Sequence, residues 1–351
     1  MKPTMSDVGR LAGVTKMTVS RALRNPHSVR AETLLRVRKA ASELNYRRSK
    51  SRTQSLTLVW LMFRPENDPN SSSELLAYQI DGANDASLQR NFSLQMVYFD
   101  EKQPLDALLW RISTRNADGV LLAADHPDML PLQFEMEDLV QCIEKMAIPL
   151  VAVGASSRLL HTNRIYKNDV AGSYAAVSHL LQLGHRRIAF FSRTPEKHQG
   201  YLDRYQGYST ALRSAGIEPD PALYQVAGGY GLLPECVAQL EALLALPEPP
   251  TAIFAVNDYL AMEVIKLLSY RKRRVPEDIS VIGYDNIGNG QLCSPPLTSV
   301  DTRIRRMQQQ AINLLCDLIE NPSDDHVFTQ MEFEPQLVIR RSCSRILRKI
   351  S

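Results

Sequence analysis

No stretch of this sequence approaches the ~18 uninterrupted apolar residues of a membrane span. The N-terminus also lacks the charged-then-apolar layout of a secretory signal. A protein resident in the cytoplasm, with no membrane partner, is therefore expected. Cysteine is scarce: Cys142, Cys236, Cys293, Cys316 and Cys343 are odd in number and spread widely over 351 residues. No CxxC or Cys/His spacing accompanies them, and neither His179 nor His185 has a second ligand at metal spacing. The thiols read as buried and reduced, the histidines as packing or capping residues, with no metal and no cofactor implied. Also missing are a GxGxxG turn after a strand, a GxxxxGK[ST] loop and a GxSxG elbow, so the signatures of the common doubly wound enzymes are absent. Gly228-Gly229-Tyr230-Gly231 is glycine-rich without the required spacing and reads as a turn.

What is present is unevenly distributed. The net charge is +3, yet residues 1–55 hold 13 Lys or Arg against Asp7, Glu32 and Glu43, leaving that segment at +10 and the rest at −7. A basic end on a mildly acidic body fits a polyanion-binding module joined to a different device. A solvated basic tail would carry the same charge, so the pattern within the segment has to decide.

Residues 4–45 resolve into three amphipathic segments. Thr4 is placed to cap the first, with Asp7 as its return partner; Val8, Leu11 and Ala12 are expected on its buried face, and Gly13 to turn the chain. Thr15 is expected to cap a second helix buried through Val19, Ala22 and Leu23. The third, from about Ala31 to Asn45, buries Leu34, Val37, Ala41 and Leu44. A helix, a tight glycine turn and a second helix with small contact residues form a helix-turn-helix, which places its second helix in the major groove of double-stranded DNA. Lys16, Met17, Ser20, Arg21 and Arg24 fall on the outward face. Arg21 can pair with both acceptors of a guanine edge, Lys16 can reach a base or a phosphate, and Met17 offers apolar contact to a thymine methyl. Thr4, Thr15, Thr18 and Ser20 are placed to donate to phosphates. A plain three-helix bundle with a charged face is the competing reading.

From Ser55 the texture changes. Apolar runs at 56–63, 94–99, 119–124, 149–153, 187–192, 251–256 and 279–284 alternate with helical periodicity at 74–90, 104–115, 170–183, 199–215, 233–246 and 257–270. Near-continuous apolar strands joined by crossover helices imply parallel sheets covered on both faces. The strands are too many for one modest sheet, so an α/β body of two subdomains with a cleft between them is expected.

With these strings in view, the whole chain resembles the LacI/GalR family of bacterial transcription regulators. The resemblance rests on DVGRLAGVTKMTVSRAL (7–23), AGSYAAVSHLLQLGHRRIAFF (171–191), RYQGYSTALRSAGI (204–217), PTAIFAVNDYLAMEVI (250–265), VPEDISVIGYDNIG (275–288), PPLTSVDT (295–302) and QLVIRRSC (336–343). It implies a small all-α helix-turn-helix domain over residues 1–46, a basic linker over 47–55, and an effector-binding and dimerisation body over 56–345. That body would comprise two doubly wound parallel-sheet subdomains of periplasmic-binding-protein-like type I architecture. The partners implied are operator DNA, a small-molecule effector such as a sugar, and a second copy of the chain. Carried over from the family, Arg204 and Asp258 are the leading effector contacts, since a guanidinium and a carboxylate can each form paired bonds to adjacent hydroxyls. A structural Arg–Asp salt bridge is the alternative. Asn257 and Asp285 follow strands, where open α/β sheets place ligands, and Asn67, Asn70 and Asp125 are candidates by the same topology across the cleft.

The chain departs from this family in three places. Arg48 replaces the usual proline after Tyr46, and no leucine occurs until Leu56 to wedge into the minor groove, so the hinge helix is shortened. Arg47, Arg48, Lys50 and Arg52 could still hold phosphates, but little operator kinking is expected and headpiece spacing would have to substitute. Lys167-Asn168 stands where Asp-Asn is more usual, and Arg30 where a capping Ser is common. The final residues carry no leucine heptads, so a dimer is expected, with the Leu75, Leu76, Ile80 and Ala83 stripe either at its interface or in the core. A sugar-binding transport component would share the body but not the basic headpiece.

Overall fold

The computed structural model describes residues 3–24, 28–44, 46, 56–64, 74–124, 132–193, 198–227, 234–322 and 327–346. It begins with three short helices, α1 (Met5–Ala12), α2 (Lys16–Arg24) and α3 (Ala31–Glu43). Val8, Val19, Ala22, Leu34 and Val37 are completely shielded where the three meet. Leu11, expected on that face, is 49 % exposed. The buried face of α1 runs through Val8, Gly9 and Ala12 instead, and Leu11 lies about 100° round the helix from its centre. Gly9 is the cause: a Cβ there would stand 2.7 Å from the Val14 carbonyl oxygen, so the turn into α2 presses directly on the glycine backbone.

The body holds two six-stranded sheets. The N-terminal subdomain contains β1 (Leu56–Phe63), α4 (Glu74–Gln89), β2 (Phe92–Phe99), α5 (Leu105–Thr114), β3 (Gly119–Ala123), α6 (Met136–Lys145), β4 (Leu150–Val153) and β5 (Asn163–Lys167). The C-terminal subdomain contains α7 (Asp169–Gln182), β6 (Ile188–Ser192), α8 (Gln199–Ser214), β7 (Tyr224–Val226), α9 (Pro234–Leu244), β8 (Ala252–Ala255), α10 (Asp258–Tyr270), β9 (Ser280–Tyr284), α11 (Gly288–Gln291) and β10 (Thr298–Asp301). The chain then returns to the first subdomain for α12 (Ile304–Glu320) and β11 (Gln330–Phe333), and ends in the second with β12 (Gln336–Val338). Strand order is β11-β5-β4-β3-β1-β2 in one sheet and β12-β10-β9-β8-β6-β7 in the other. All pairs are parallel except β10 with β12. The five strands β5, β7, β10, β11 and β12 were not among the apolar runs.

Strand periodicity explains the two-faced burial. Leu58, Trp60 and Met62 on β1 pack beneath α4 and α12, while Val59 and Leu61 point to the opposite core beside α5 and α6. The α4 stripe serves this core as well. Ala83 is fully buried, Leu75, Leu76 and Ile80 pack against the cluster, and a Cβ on Gly82 would meet the Arg305 carbonyl at 2.2 Å, so α4 and α12 are in backbone contact. The other subdomain has one core built on Phe190, Phe254, Tyr208 and Tyr284. Among the described residues no helix is long and apolar enough to cross a membrane.

Candidate functional site

Two regions gather the polar residues singled out by the sequence. In the headpiece, Thr4 caps α1: its hydroxyl oxygen accepts from the Asp7 N–H at 3.3 Å, and its own N–H donates to Asp7 Oδ2 at 2.9 Å. The Thr4 hydroxyl also donates to Asp7 Oδ2 at 2.7 Å, and this bond, ahead of the one from the Thr4 backbone, lowers the Asp7 carboxyl below its ordinary value. Thr15 caps α2 by accepting the Thr18 N–H at 3.1 Å, and the two hydroxyls lie 2.9 Å apart. Gly13 closes α1 in the left-handed conformation, φ 64°. The threonine hydroxyls assigned to phosphates thus have intramolecular roles already. Lys16, Met17 and Arg21 are exposed on α2, Met17 at 70 %, while Thr18 and Ser20 are half-buried beside Val19. The Arg24 side chain, Arg47 and Arg48 lie outside the described residues.

The second region is the cleft face of the C-terminal subdomain, where strand ends and the start of α8 converge. Arg204 is its centre. The guanidinium is buried, donating from Nε to Asp169 Oδ1 at 3.2 Å, from Nη1 to the Val256 carbonyl at 2.5 Å and from Nη2 to Asp285 Oδ1 at 3.4 Å. It lies over the Tyr284 ring, with Cζ 3.9 Å from the ring centroid. Burial works against its charge, but the carboxylates of Asp169 and Asp285 outweigh that penalty and raise its pKa. Asp169 responds in reverse: burial pushes its carboxyl up, yet Lys167 and Arg204 hold it below the ordinary value. Lys167, itself buried, brings Nζ to 3.9 Å from Asp285 Oδ1.

Asp285 follows β9 with φ 100°, a region that costs a non-glycine residue on the order of 1–3 kcal/mol. The turn is held by the bond from its N–H to the Val300 carbonyl at 2.8 Å, and Asn286 follows with its N–H on Ser299 Oγ at 3.1 Å. Strain so firmly fixed aims the Asp285 carboxylate at Arg204 and Lys167. Asp258 is placed differently. Its Oδ2 accepts the Ile287 N–H at 2.8 Å and its Oδ1 the Ser299 hydroxyl at 2.5 Å, both inside the fold. Burial drives this carboxyl up to about 8 against the opposing hydrogen bond from Ser299. Asn257 caps α10 through the Leu260 N–H and donates to the Tyr201 hydroxyl at 3.3 Å. Asn67, Asn70 and Asp125 lie outside the described residues.

The fold therefore brings Arg204, Asp285 and Asn257 to one surface and turns Asp258 toward the turn that supports them. It adds groups that sequence reasoning missed. Asp169 gave no signal beyond opening a helix next to Asn168, and Lys167 was visible only as a departure from its family. Tyr201, stacked on His198 at 4.3 Å between ring centroids, and Tyr284 lay inside a helical segment and an apolar run and were not singled out. Contacts that cross the cleft include, besides Lys167 with Asp285, Arg158, in the turn Ala155–Leu159, pairing with Asp203 on α8, and Glu74 at the start of α4, accepting from the α11 backbone. A guanidinium and a carboxylate converging this way suit paired bonds to adjacent hydroxyls.

Residues 4–49 match bacterial regulatory proteins of the lacI family, and residues 177–343 match the periplasmic binding protein-like domain. The chain is 32 % identical over 323 residues to the HTH-type transcriptional repressor CytR of Escherichia coli (strain K12), covering 90 % of each. It is 30 % identical over 351 residues to the HTH-type transcriptional repressor PurR of Vibrio atlanticus (strain LGP32), covering 96 % of this chain and 97 % of that one. Among solved structures, the transcriptional regulator CelR–cellobiose complex superposes with a TM-score of 0.68 at 26 % identity, covering 97 % and 99 % of the two chains. The lac repressor dimer bound to operator and the anti-inducer ONPF shares the fold, with a TM-score of 0.67 at 21 % identity over 98 % and 100 %. The capped headpiece, the paired sheets and likeness along nearly the entire length agree: this chain belongs to the lacI family of bacterial regulatory proteins, a DNA-binding transcriptional repressor with a ligand-controlled body and not an enzyme.

Proposed function

We propose that the protein is a homodimeric repressor that works in the cytoplasm. Lys16, Met17 and Arg21 choose the operator sequence, and Arg204 with Asp285 recognises a hydroxyl-rich effector, a sugar or similar polar metabolite, in the cleft. The observation that carries the effector assignment is the Arg204–Asp285 pair at 3.4 Å on a strained turn, next to the Asn257–Tyr201 bond. A polyol entering there exchanges its hydroxyls for these internal bonds. Asp258 supports the turn from behind rather than meeting the ligand first. Cellobiose is named in the CelR complex, which favours the sugar reading over other polar metabolites.

Two copies are needed because one helix-turn-helix reads only a half-site, and a two-fold dimer matches a near-palindromic operator. Leu292, 84 % exposed, and Met96, 42 % exposed on the edge strand β2, give each subdomain apolar surface for that partner.

The test is selection of bound DNA from a random pool by the full chain, repeated with a panel of neutral sugars and nucleosides. One enriched palindrome, released or tightened by a member of the panel in wild type but not in Arg204→Ala, is expected. Absence of any enriched sequence would overturn the operator reading, and an unchanged response in Arg204→Ala would overturn the effector assignment.

A further inference from the structure

Arg38 lies on α3 but outside the headpiece core, next to the shielded Val37. Its guanidinium leaves the headpiece and enters the N-terminal subdomain, donating from Nη2 to the Ser113 carbonyl at 2.7 Å and to Asn116 Oδ1 at 3.3 Å. Ser113 is in the last turn of α5, where the helix dipole is negative, and its carbonyl also accepts the Asn116 N–H at 3.1 Å. Asn116 follows in the left-handed conformation, φ 51°. Burial of the guanidinium lowers its pKa to about 10, and the charge of Asp118 opposes that shift. The helix-end carbonyl and the amide oxygen form a socket for the guanidinium, and the Asp118 carboxylate offsets part of its burial penalty.

The socket is joined to the point where the body begins. Asp118 Oδ2 accepts the Thr57 N–H at 2.7 Å, and the Asp118 N–H donates to the Thr57 carbonyl at 2.8 Å, so it is bonded to the first turn of β1. Residues 47–55 connect headpiece and body, and nine residues can extend to about 30 Å. That link has no leucine to serve as a hinge wedge, and the Arg38 contact is a second attachment between headpiece and body. With Arg38 docked, Lys16, Met17 and Arg21 remain exposed, so docking and DNA reading are compatible.

We propose that Arg38 is a positioning residue for operator recognition: seated in the socket of Ser113, Asn116 and Asp118, it fixes the headpiece on the N-terminal subdomain and carries the mechanical link between body and DNA. The proposal rests on the repressor reading but is independent of the effector's identity.

The test measures affinity of the full chain for its selected operator, with salt dependence, in Arg38→Gln, Asn116→Gly, Asp118→Asn and the Arg38→Gln/Asp118→Asn double variant. Asn116→Gly removes the acceptor at a position whose φ suits glycine. Arg38→Gln is expected to weaken operator binding about tenfold, the scale of one charge-assisted bond. At least one body variant, far from DNA, should weaken it comparably, and the double variant should be no weaker than Arg38→Gln. The slope of affinity against salt should stay at the wild-type value. Wild-type affinity in both body variants would show that the socket is not needed, and a slope reduced by about one would show that Arg38 contacts phosphate; either would overturn the proposal. Failure of the wild-type chain to bind any DNA would instead refute the repressor reading.

Discussion

Glu74, at the start of α4 in the N-terminal subdomain, accepts the backbone N–H of Gly288 in the C-terminal subdomain at 2.6 Å, and that of Asn289 at 3.2 Å. Its own N–H donates to the Tyr259 hydroxyl at 2.8 Å. One half-buried side chain thus clasps the first turn of α11 across the cleft, while Arg158–Asp203 clasps another part of the same gap.

Glu74→Ala should therefore open the cleft. Losing a charge-assisted acceptor for two N–H groups destabilises the closed form by about 1–3 kcal/mol. Small-angle scattering of the effector-free variant should give a larger radius of gyration than wild type. Equal radii would show that the clasp does not govern closure.

On the DNA side, Arg21→Ala should cost about 1–3 kcal/mol on the selected operator and relax the requirement for one base pair. Lys16→Ala should relax the requirement for a second base pair and leave the salt slope near its wild-type value, whereas loss of a phosphate contact would lower that slope by about one. Fluorescence anisotropy titrations at several ionic strengths separate the two effects. Uniform weakening across all operator variants in Arg21→Ala would assign that residue to phosphate.

Gly9→Ala should destabilise the headpiece by about 1–3 kcal/mol, because the new Cβ meets the Val14 carbonyl at 2.7 Å, where neither backbone yields cheaply. Operator binding should fall while effector affinity, measured by calorimetry, is unchanged. Wild-type operator affinity would mean that the turn has room to relax.

Asp258 should make stability depend on pH. Its carboxyl is raised from 3.8 to about 8, first by burial, so the folded state binds the proton more tightly than the unfolded chain. The contribution is fully present below about pH 4 and is lost progressively as pH rises through about 8. Denaturant unfolding at a series of pH values should show this decline in wild type and a flatter profile in Asp258→Asn. Identical profiles would remove Asp258 as its source.

The headpiece was legible because its punctuation is local: Thr4 with Asp7, Gly13 and Thr15 are caps readable within a few residues. The exception, Leu11, failed because close approach at Gly9 rotated the contact face, and periodicity alone does not register such approach. In the body, nearly continuous apolar strands such as β1 and β9 were plain. Strand β10 was hidden by its polar side chains: the Thr298 hydroxyl accepts the Arg340 N–H at 2.9 Å, and Ser299 serves Asp258. Strand β5 carries Arg164 and Lys167 for related reasons, since Arg164 bonds to Gln330 on β11. At the site, Arg204 was found through the family resemblance of its RYQGY string and Asp285 through its place after a strand. Asp169 was not, because its contact with Arg204 joins residues 35 apart that only the packing of α7 on α8 brings together.

Both sheets are assembled from discontinuous chain. Helix α12 and strand β11, residues 304–333, complete a subdomain that began at Leu56, whereas the headpiece helices are finished by Glu43. Synthesis adds about 5–20 residues per second, so the headpiece leaves the ribosome on the order of 15 to 60 seconds before the first sheet receives its last strand. During every round of translation, the cell briefly holds a DNA-binding head whose sensor has not yet been made.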